Sequence, residues 1–191
     1  MKVVAFNGSP RKNGNTSIAL QIVLDELKKE GIETELVQFG SEGIEDCTAC
    51  LACVKNKDRK CIIDSDNLNE YIEKMVEADG VILGSPVYFG NVTGQMKAFI
   101  DRVGYVSRAN GDPFKRKVGA AVTVNRRAGA LATFADINYF FLIGQWIVVG
   151  SSYWNVGVAQ KPGDMVNDKE GVETLKTLGK NMTWLLKKLA D

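Results

Sequence analysis

All four cysteines of the chain lie between Cys47 and Cys61, in the run CTACLACVKNKDRKC. Three are spaced C-x-x-C-x-x-C, and the fourth follows after seven residues. Three close thiolates with a fourth a short loop away match the compact runs that ligate a [4Fe–4S] cluster. Soft thiolates also suit zinc in an all-sulfur site, although zinc more often takes two separated C-x-x-C pairs. Four unligated thiols are the remaining reading. Lys55, Lys57, Arg59 and Lys60 lie between the third and fourth cysteines. They would offset the negative charge of a thiolate-ligated group, form a solvated turn, or receive an acidic electron-transfer protein.

Two further stretches carry chemistry. GSPRKNGNTS (8–17) joins a strand to a helix and is rich in Gly, Ser, Asn and Thr. A helix N-terminus favours an anion through its unpaired N–H groups and positive dipole end. Ser9, Asn15, Thr16 and Ser17 add hydrogen-bonding side chains, and Arg11 adds charge. The loop is neither G-x-x-x-x-G-K-[ST] nor G-x-G-x-x-G. Its reliance on hydroxyls fits a single phosphate monoester such as that of FMN, against the plainer reading of a capped helix after a polar turn. SPVYFGNVTGQ (85–95) follows a second buried strand. Tyr88 and Phe89 offer a surface for a flat heteroaromatic ring, and the backbone from Val87 to Asn91 offers donors and acceptors at its edge. Otherwise the aromatics pack in a core or an interface. A third loop, NRRAGA (125–130), brings Asn125 and Arg126 to a helix start, to border the ring's polar edge or to form a solvated basic turn.

The chain contains no histidine, which removes the usual general base near neutral pH. No side chain is an obvious catalytic acid or base. Tyr88 is the nearest candidate proton donor, after water.

The elements that must position these loops read as alternating strands and helices. Strands are expected at 2–8, 34–39, 80–85, 117–124 and 147–153. Helices are expected at 16–30, 67–78, 93–106, 130–146 and 170–190. Gly31 should end the first helix, and Asn67 with Glu70 should form a capping box. Such a pattern makes an α/β domain, a doubly wound five-stranded parallel sheet in the flavodoxin-like order 2-1-3-4-5 with helices on both faces. The loops after strands one and three then flank the switch in strand order, where ligands sit. We read 1–191 as one domain with a cysteine-rich loop at 40–65.

Twenty-four basic side chains face 23 acidic ones, a net charge of +1. This excludes an electrostatic footprint for nucleic acid or an anionic membrane. The longest apolar run, YFFLIGQWIVV (139–149), is shorter than the roughly 20 residues a membrane helix needs. The expected location is cytoplasmic, where thiols stay reduced.

GSPRKNGNTS, SPVYFGNVTGQMKAFIDR and CTACLACVKNKDRKC in this arrangement resemble the iron–sulfur flavoprotein family, within the flavodoxin-like FMN reductases. The resemblance runs along nearly the whole chain. It implies an FMN held by Ser9, Arg11, Asn15, Thr16 and Ser17 at the phosphate and by Pro86, Val87, Tyr88, Phe89, Gly90 and Asn91 at the ring. It implies a [4Fe–4S] cluster on Cys47, Cys50, Cys53 and Cys61. The implied activity is an FMN-dependent oxidoreductase taking electrons from a ferredoxin-type donor or NAD(P)H. Dioxygen, peroxide, a quinone or a similar small molecule would accept them. A cluster-free NAD(P)H oxidoreductase and a flavodoxin-like carrier are the alternatives. The family implies a homodimer or homotetramer, and the helix TFADINYFFLIGQW suits either an interface or a core.

Overall fold

The computed structural model describes residues 1–190. Strand β1 (Lys2–Asn7) lies centrally, between β2 (Glu33–Gln38) and β3 (Gly80–Pro86). Strand β4 (Val118–Asn125) follows β3, then the short β5 (Ile147–Val148), so the order is β2-β1-β3-β4-β5 and all pairings are parallel. A sixth strand, β6 (Val156–Val158), pairs with the far end of β4.

Parallel strands need crossovers, and the helices that make them cover both faces. Along β1, Val3 and Ala5 face one side and Val4 and Phe6 the other, as a period of two requires. The first side packs on α1 (Asn15–Lys29) and the long C-terminal α6 (Lys169–Ala190), through Leu20, Leu24, Leu178 and Met182. The second packs on α3 (Leu68–Glu77), α4 (Gly94–Ala109) and α5 (Ala130–Ile143), where Phe6, Phe39 and Phe99 meet. A short helix, α2 (Ala52–Asn56), lies within the cysteine segment.

Helix α1 ends as expected. Gly31 takes φ +77, its N–H bonds to Lys28 O, and Ile32 N–H reaches Leu27 O, a Schellman closure. The expected capping box on α3 does not form. Asn67 makes no side-chain cap bond and instead reaches the Glu42 carboxylate. The preceding residue takes the role, with Asp66 Oδ1 accepting from Leu68 N at 3.1 Å.

The expected strand 147–153 is also broken. After Val148 the chain turns through Ser151, whose hydroxyl donates to Tyr153 O or Asn155 Oδ1, both at 2.6 Å. Asn155 then docks on β4, donating to Ala121 O at 3.0 Å and accepting from Thr123 N. Sheet pairing resumes only at β6. The helix expected over 130–146 stops at Ile143, with Gln145 in the left-handed region. Helix α5 contributes one side to the core. Ile137, Phe140 and Phe141 are buried, while Tyr139, Leu142 and Ile143 face outward. Among the described residues, no helix is long and apolar enough to cross a membrane.

Candidate functional site

The loops after β1, β3, β4 and β6 meet above the carboxyl ends of the strands and enclose a cleft of about 660 Å³, within the range of small-molecule sites. The first loop is built by local polar bonds. Asn7 Oδ1 accepts from Ser9 N at 3.0 Å, and Ser9 Oγ accepts from Arg11 N at 3.2 Å. Gly14 is the N-cap of α1 and brings no side-chain cap, and the first turn holds no acidic residue. The end of the helix therefore presents its N–H groups and dipole without an internal anion. Gly40, just past β2, runs against this loop, since a Cβ there would lie 2.4 Å from Ser9 O. Thr93 ties the first loop to the third strand's loop. Its hydroxyl donates to Gly8 O at 2.8 Å and accepts from Met96 N at 3.1 Å, capping α4.

Ser9, Arg11, Asn15 and Thr16 line the cleft, as do Pro86, Val87 and Tyr88, and Asn125 and Arg126. Ser17 does not, because a helix turns about 100° per residue and the wall is taken by Thr16. Phe89, Gly90 and Asn91 stand outside the lining as well.

Asn15 has a different job from the one its position suggests. Its Nδ2 donates to Lys161 O at 2.8 Å, and its Oδ1 accepts from Gly163 N at 2.9 Å and Met165 N at 3.2 Å. The amide is spent on clasping the segment after β6 rather than on an anion. That clasp brings Ala159, Gln160, Lys161 and Pro162 to the cleft wall, which sequence reading missed. Lys161 adds a second cation beside Arg11. The signal was weak, since β6 has only three residues, VGV.

The second loop is a tight hairpin. Tyr88 and Asn91 exchange backbone bonds at 2.9 and 3.1 Å, and Phe89 and Gly90 take φ +49 and +83. This is the pattern of a type I′ turn. Val87 N bonds to Val124 O at 2.9 Å. Three of the backbone donors expected to serve a ligand are thus occupied. Asn91 instead borders a groove between α4 and α5. Phe89 is fully exposed in a left-handed conformation, which costs about 1–2 kcal/mol for a residue of this kind. Phe89→Asn should therefore stabilise the protein by about 0.5–1 kcal/mol, because Asn-Gly is the preferred turn pair. Urea unfolding would register the gain, and an FMN titration would register the loss of an aromatic face at the cleft mouth.

Asn125 is 5% exposed, and its Oδ1 has no hydrogen-bond partner. A buried acceptor left open beside the cleft fits a ligand that brings N–H donors, as the polar edge of a flavin does. The uncapped α1, the cations Arg11, Arg126 and Lys161, and this acceptor make a set of groups that fits FMN.

The cysteine segment lies against α4, and all four thiols are free and line one small pocket. The pocket holds about 20 Å³, roughly one water. Among the described residues, no three His, Cys, Asp or Glu side chains converge on a single metal ion. Cys61 is the most firmly held. Its backbone exchanges bonds with the Asn69 amide at 2.8 and 3.0 Å, and its sulfur accepts from Arg102 Nε at 3.3 Å. The Ala52 N–H, at the start of α2, leads the effects that lower the Cys50 thiol's pKa. Burial pushes the Cys53 thiol up, with Cys61 and Cys50 adding in the same direction.

The segment is also strained. Ala49, Leu51, Lys57 and Arg59 all take left-handed φ, four of the eight such non-glycine residues among the described residues. Two of them, Ala49 and Leu51, sit between successive cysteines. Of the three readings of Lys55, Lys57, Arg59 and Lys60, a place in the pocket wall is not the one seen, since none of them lines it. Arg59 makes only a loose 3.9 Å pair with Glu73. The charge in the pocket wall is Arg102, which sequence reading passed over.

A parallel sheet in this order, with a cleft of ligand size at its switch point, defines a protein of the flavodoxin-like class. The profile of the NADPH-dependent FMN reductases matches residues 1–161. An iron–sulfur flavoprotein of Methanocaldococcus jannaschii is 41% identical over 196 residues, covering 98% of each chain. One of Methanosarcina thermophila is 36% identical, covering 95% of this chain and 93% of its own. The chain belongs to the iron–sulfur flavoprotein family within the NADPH-dependent FMN reductase group. Solved structures agree on the fold. An archaeal flavodoxin superposes with a TM-score of 0.64 at 16% identity, covering 98% of this chain and 99% of its own. RosB superposes with a TM-score of 0.76 at 19% identity, covering 100% and 80%. The protein is an FMN-dependent oxidoreductase.

Proposed function

We propose that the protein is an electron-transfer oxidoreductase in which a [4Fe–4S] cluster on Cys47, Cys50, Cys53 and Cys61 exchanges electrons with FMN. One observation carries this reading: the chain's only four cysteines, scattered over a strained loop, share one pocket wall. Left-handed Ala49 and Leu51 cost about 1–2 kcal/mol each, and strain of this kind persists where a site requires it. A cluster takes one thiolate on each of four irons, so its ligands need not converge on a single centre. This favours it over zinc.

When bound, FMN supplies one- and two-electron chemistry and the cluster supplies one-electron chemistry. The protein's own work is placement. The first turn of α1, with Ser9, Thr16, Arg11 and Lys161, holds the phosphate. Tyr88 and Pro86 flank the ring, and Asn125 Oδ1 accepts from its edge. Tyr88, in the cleft wall, would shield one side of the ring from water. The exposed Lys55–Lys60 turn receives a ferredoxin-type donor, and a small acceptor such as dioxygen, peroxide or a quinone reaches the open side of the cleft. The outward row of Tyr139, Leu142 and Ile143 suits a homodimer or homotetramer. The setting is the cytoplasm.

The test is anaerobic purification with a visible spectrum, iron and acid-labile sulfide on one sample. Flavin bands over a broad cluster absorbance, with about four irons and four sulfides per chain, are expected. Flavin without iron would overturn the cluster. Because the family profile is that of NADPH-dependent reductases, a second reading is a cluster-free NAD(P)H oxidoreductase. Rapid bleaching of an iron-free sample by NADPH would select it.

A further inference from the structure

Arg102 is the largest fully buried side chain in the protein. It lies on α4, and its side chain is entirely inaccessible to solvent. Its guanidinium donates in four directions. Nε reaches Cys61 Sγ at 3.3 Å, Nη2 reaches Ile63 O at 2.9 Å, and Nη1 reaches Glu45 O at 3.3 Å and the Asp66 carboxylate. Glu45 precedes the first cysteine and Ile63 follows the last. One side chain therefore closes the base of the cysteine loop and touches a cysteine sulfur at the same time. It is also the sole charged side chain in the pocket wall apart from the thiols themselves.

Burying an arginine this fully is costly unless its charge and donors are matched. Asp66 matches part of the charge, and two carbonyls take donors. The donor left over is aimed at sulfur. A methionine with a neutral partner would fill the space at no comparable desolvation cost, so the charge has a use beyond packing.

We propose that Arg102 is the positioning residue of the cluster, holding Cys61 in register with the other three cysteines and setting the cluster's reduction potential. The inference rests on the cluster reading above. A cluster becomes more negative on reduction, and a cation donating N–H to a ligand sulfur stabilises the more negative state more strongly. Arg102 thus raises the potential. Asp66, paired to the same guanidinium, works in the opposite direction.

The experiment uses FMN-loaded, anaerobically purified protein as wild type, R102K, D66N and the R102M/D66N pair, the last removing both charges together. Cluster potential is read by titration with dithionite under electron paramagnetic resonance. Iron loss is read in the presence of a ferrous chelator, and FMN content reports the fold. R102M/D66N should lower the potential, while D66N alone should raise it by leaving the guanidinium charge unopposed. Opposite signs from two changes in one pair are not what a purely structural role gives. R102M/D66N should also retain iron about 10–100-fold less well. R102K should lose iron faster as well, since an ammonium cannot bridge both flanks and the sulfur.

Wild-type potential and wild-type iron retention in both R102K and R102M/D66N would overturn the proposal while leaving the cluster in place. Wild-type protein without iron would overturn the cluster reading itself and this inference with it. If R102M/D66N loses its FMN through misfolding, R102K decides: unchanged iron loss and potential sink the idea, and faster loss supports it.

Discussion

Asp66→Ala should destabilise the protein by about 3 kcal/mol, the lower end of what breaking a buried ion pair costs, and lower the melting temperature by about 6–12 °C. The reason is what the change leaves behind. Arg102 stays ionised in a site with no solvent access, and two carbonyls do not replace a carboxylate. The same alanine removes the cap on Leu68 N at 3.1 Å and the bond from Glu45 N at 2.9 Å. A double-mutant cycle with R102M should recover part of the loss, because the unpaired charge goes with it. Non-recovery would mean that the cap and loop bonds, rather than the ion pair, carry the effect.

The pair also fixes a pH dependence. Burial pushes the Asp66 carboxyl up, but Arg102 and the N–H groups of Glu45 and Leu68 outweigh it and hold the pKa below the usual aspartate value. A depressed folded-state pKa gives stability that is fully present above the unfolded value, about 3.9, and is lost as pH falls through the folded one. The stability gap between wild type and Asp66→Asn should therefore be constant near neutrality and narrow below about pH 4. Urea midpoints from pH 3 to 7 would measure it, and a gap that widens toward acid would contradict the assignment.

The second large effect is expected at Asn15. Asn15→Leu removes one donated and two accepted bonds to the segment 161–165. At a net 0.5–1.5 kcal/mol each, and with two of the three bonds open to solvent, the loss is about 2 kcal/mol. FMN affinity should fall as well, because Lys161 and Pro162 are released from the cleft wall. Asn15→Asp is the informative contrast. It keeps the two accepted bonds and should stay near wild type in stability, yet it puts a negative charge beside the phosphate site and should weaken FMN binding. Thermal unfolding and FMN titration on the two variants separate the clasp from direct contact. An Asn15→Leu protein with unchanged melting and binding would show that the clasp holds nothing.

The sheet order and the positions of the three candidate loops were legible because each depends on local signals. Val/Ile-rich runs end in Gly, Ser and Pro at the points where strands give way to helices, and the cysteine spacing stands alone in the chain. The parts that were not legible depend on long-range partners. Asn15 reads as an anion ligand until Gly163 and Met165, about 150 positions away, claim its amide. Strand β6 is too short for a periodicity signal, and its place on β4 is held by Asn155, a residue with no strand character. Arg102 had a signal that went unread. Phe99, Arg102, Val103 and Val106 follow helical spacing on the buried side of α4, and a charged residue on an apolar stripe calls for a buried partner. The basic turn at Lys55–Lys60 drew attention instead because four cations fall within six residues, although they lie outside the pocket.

The clasp between Asn15 and the 161–165 segment has a consequence for how the protein is made. The loop after β1 leaves the ribosome among the first residues of the chain, but the wall that completes its cleft follows some 150 residues later. At about 5–20 residues per second, that interval lasts roughly 8 to 30 seconds. During it the nascent chain can form β1 through β3 and α1, yet the lysine wall of the cleft does not exist. Cofactor capture is therefore a late event, placed after most of the sheet has formed. A ribosome-stalled chain ending before Lys161, which also lacks α6 and so one cover of the sheet, should fail to retain the flavin.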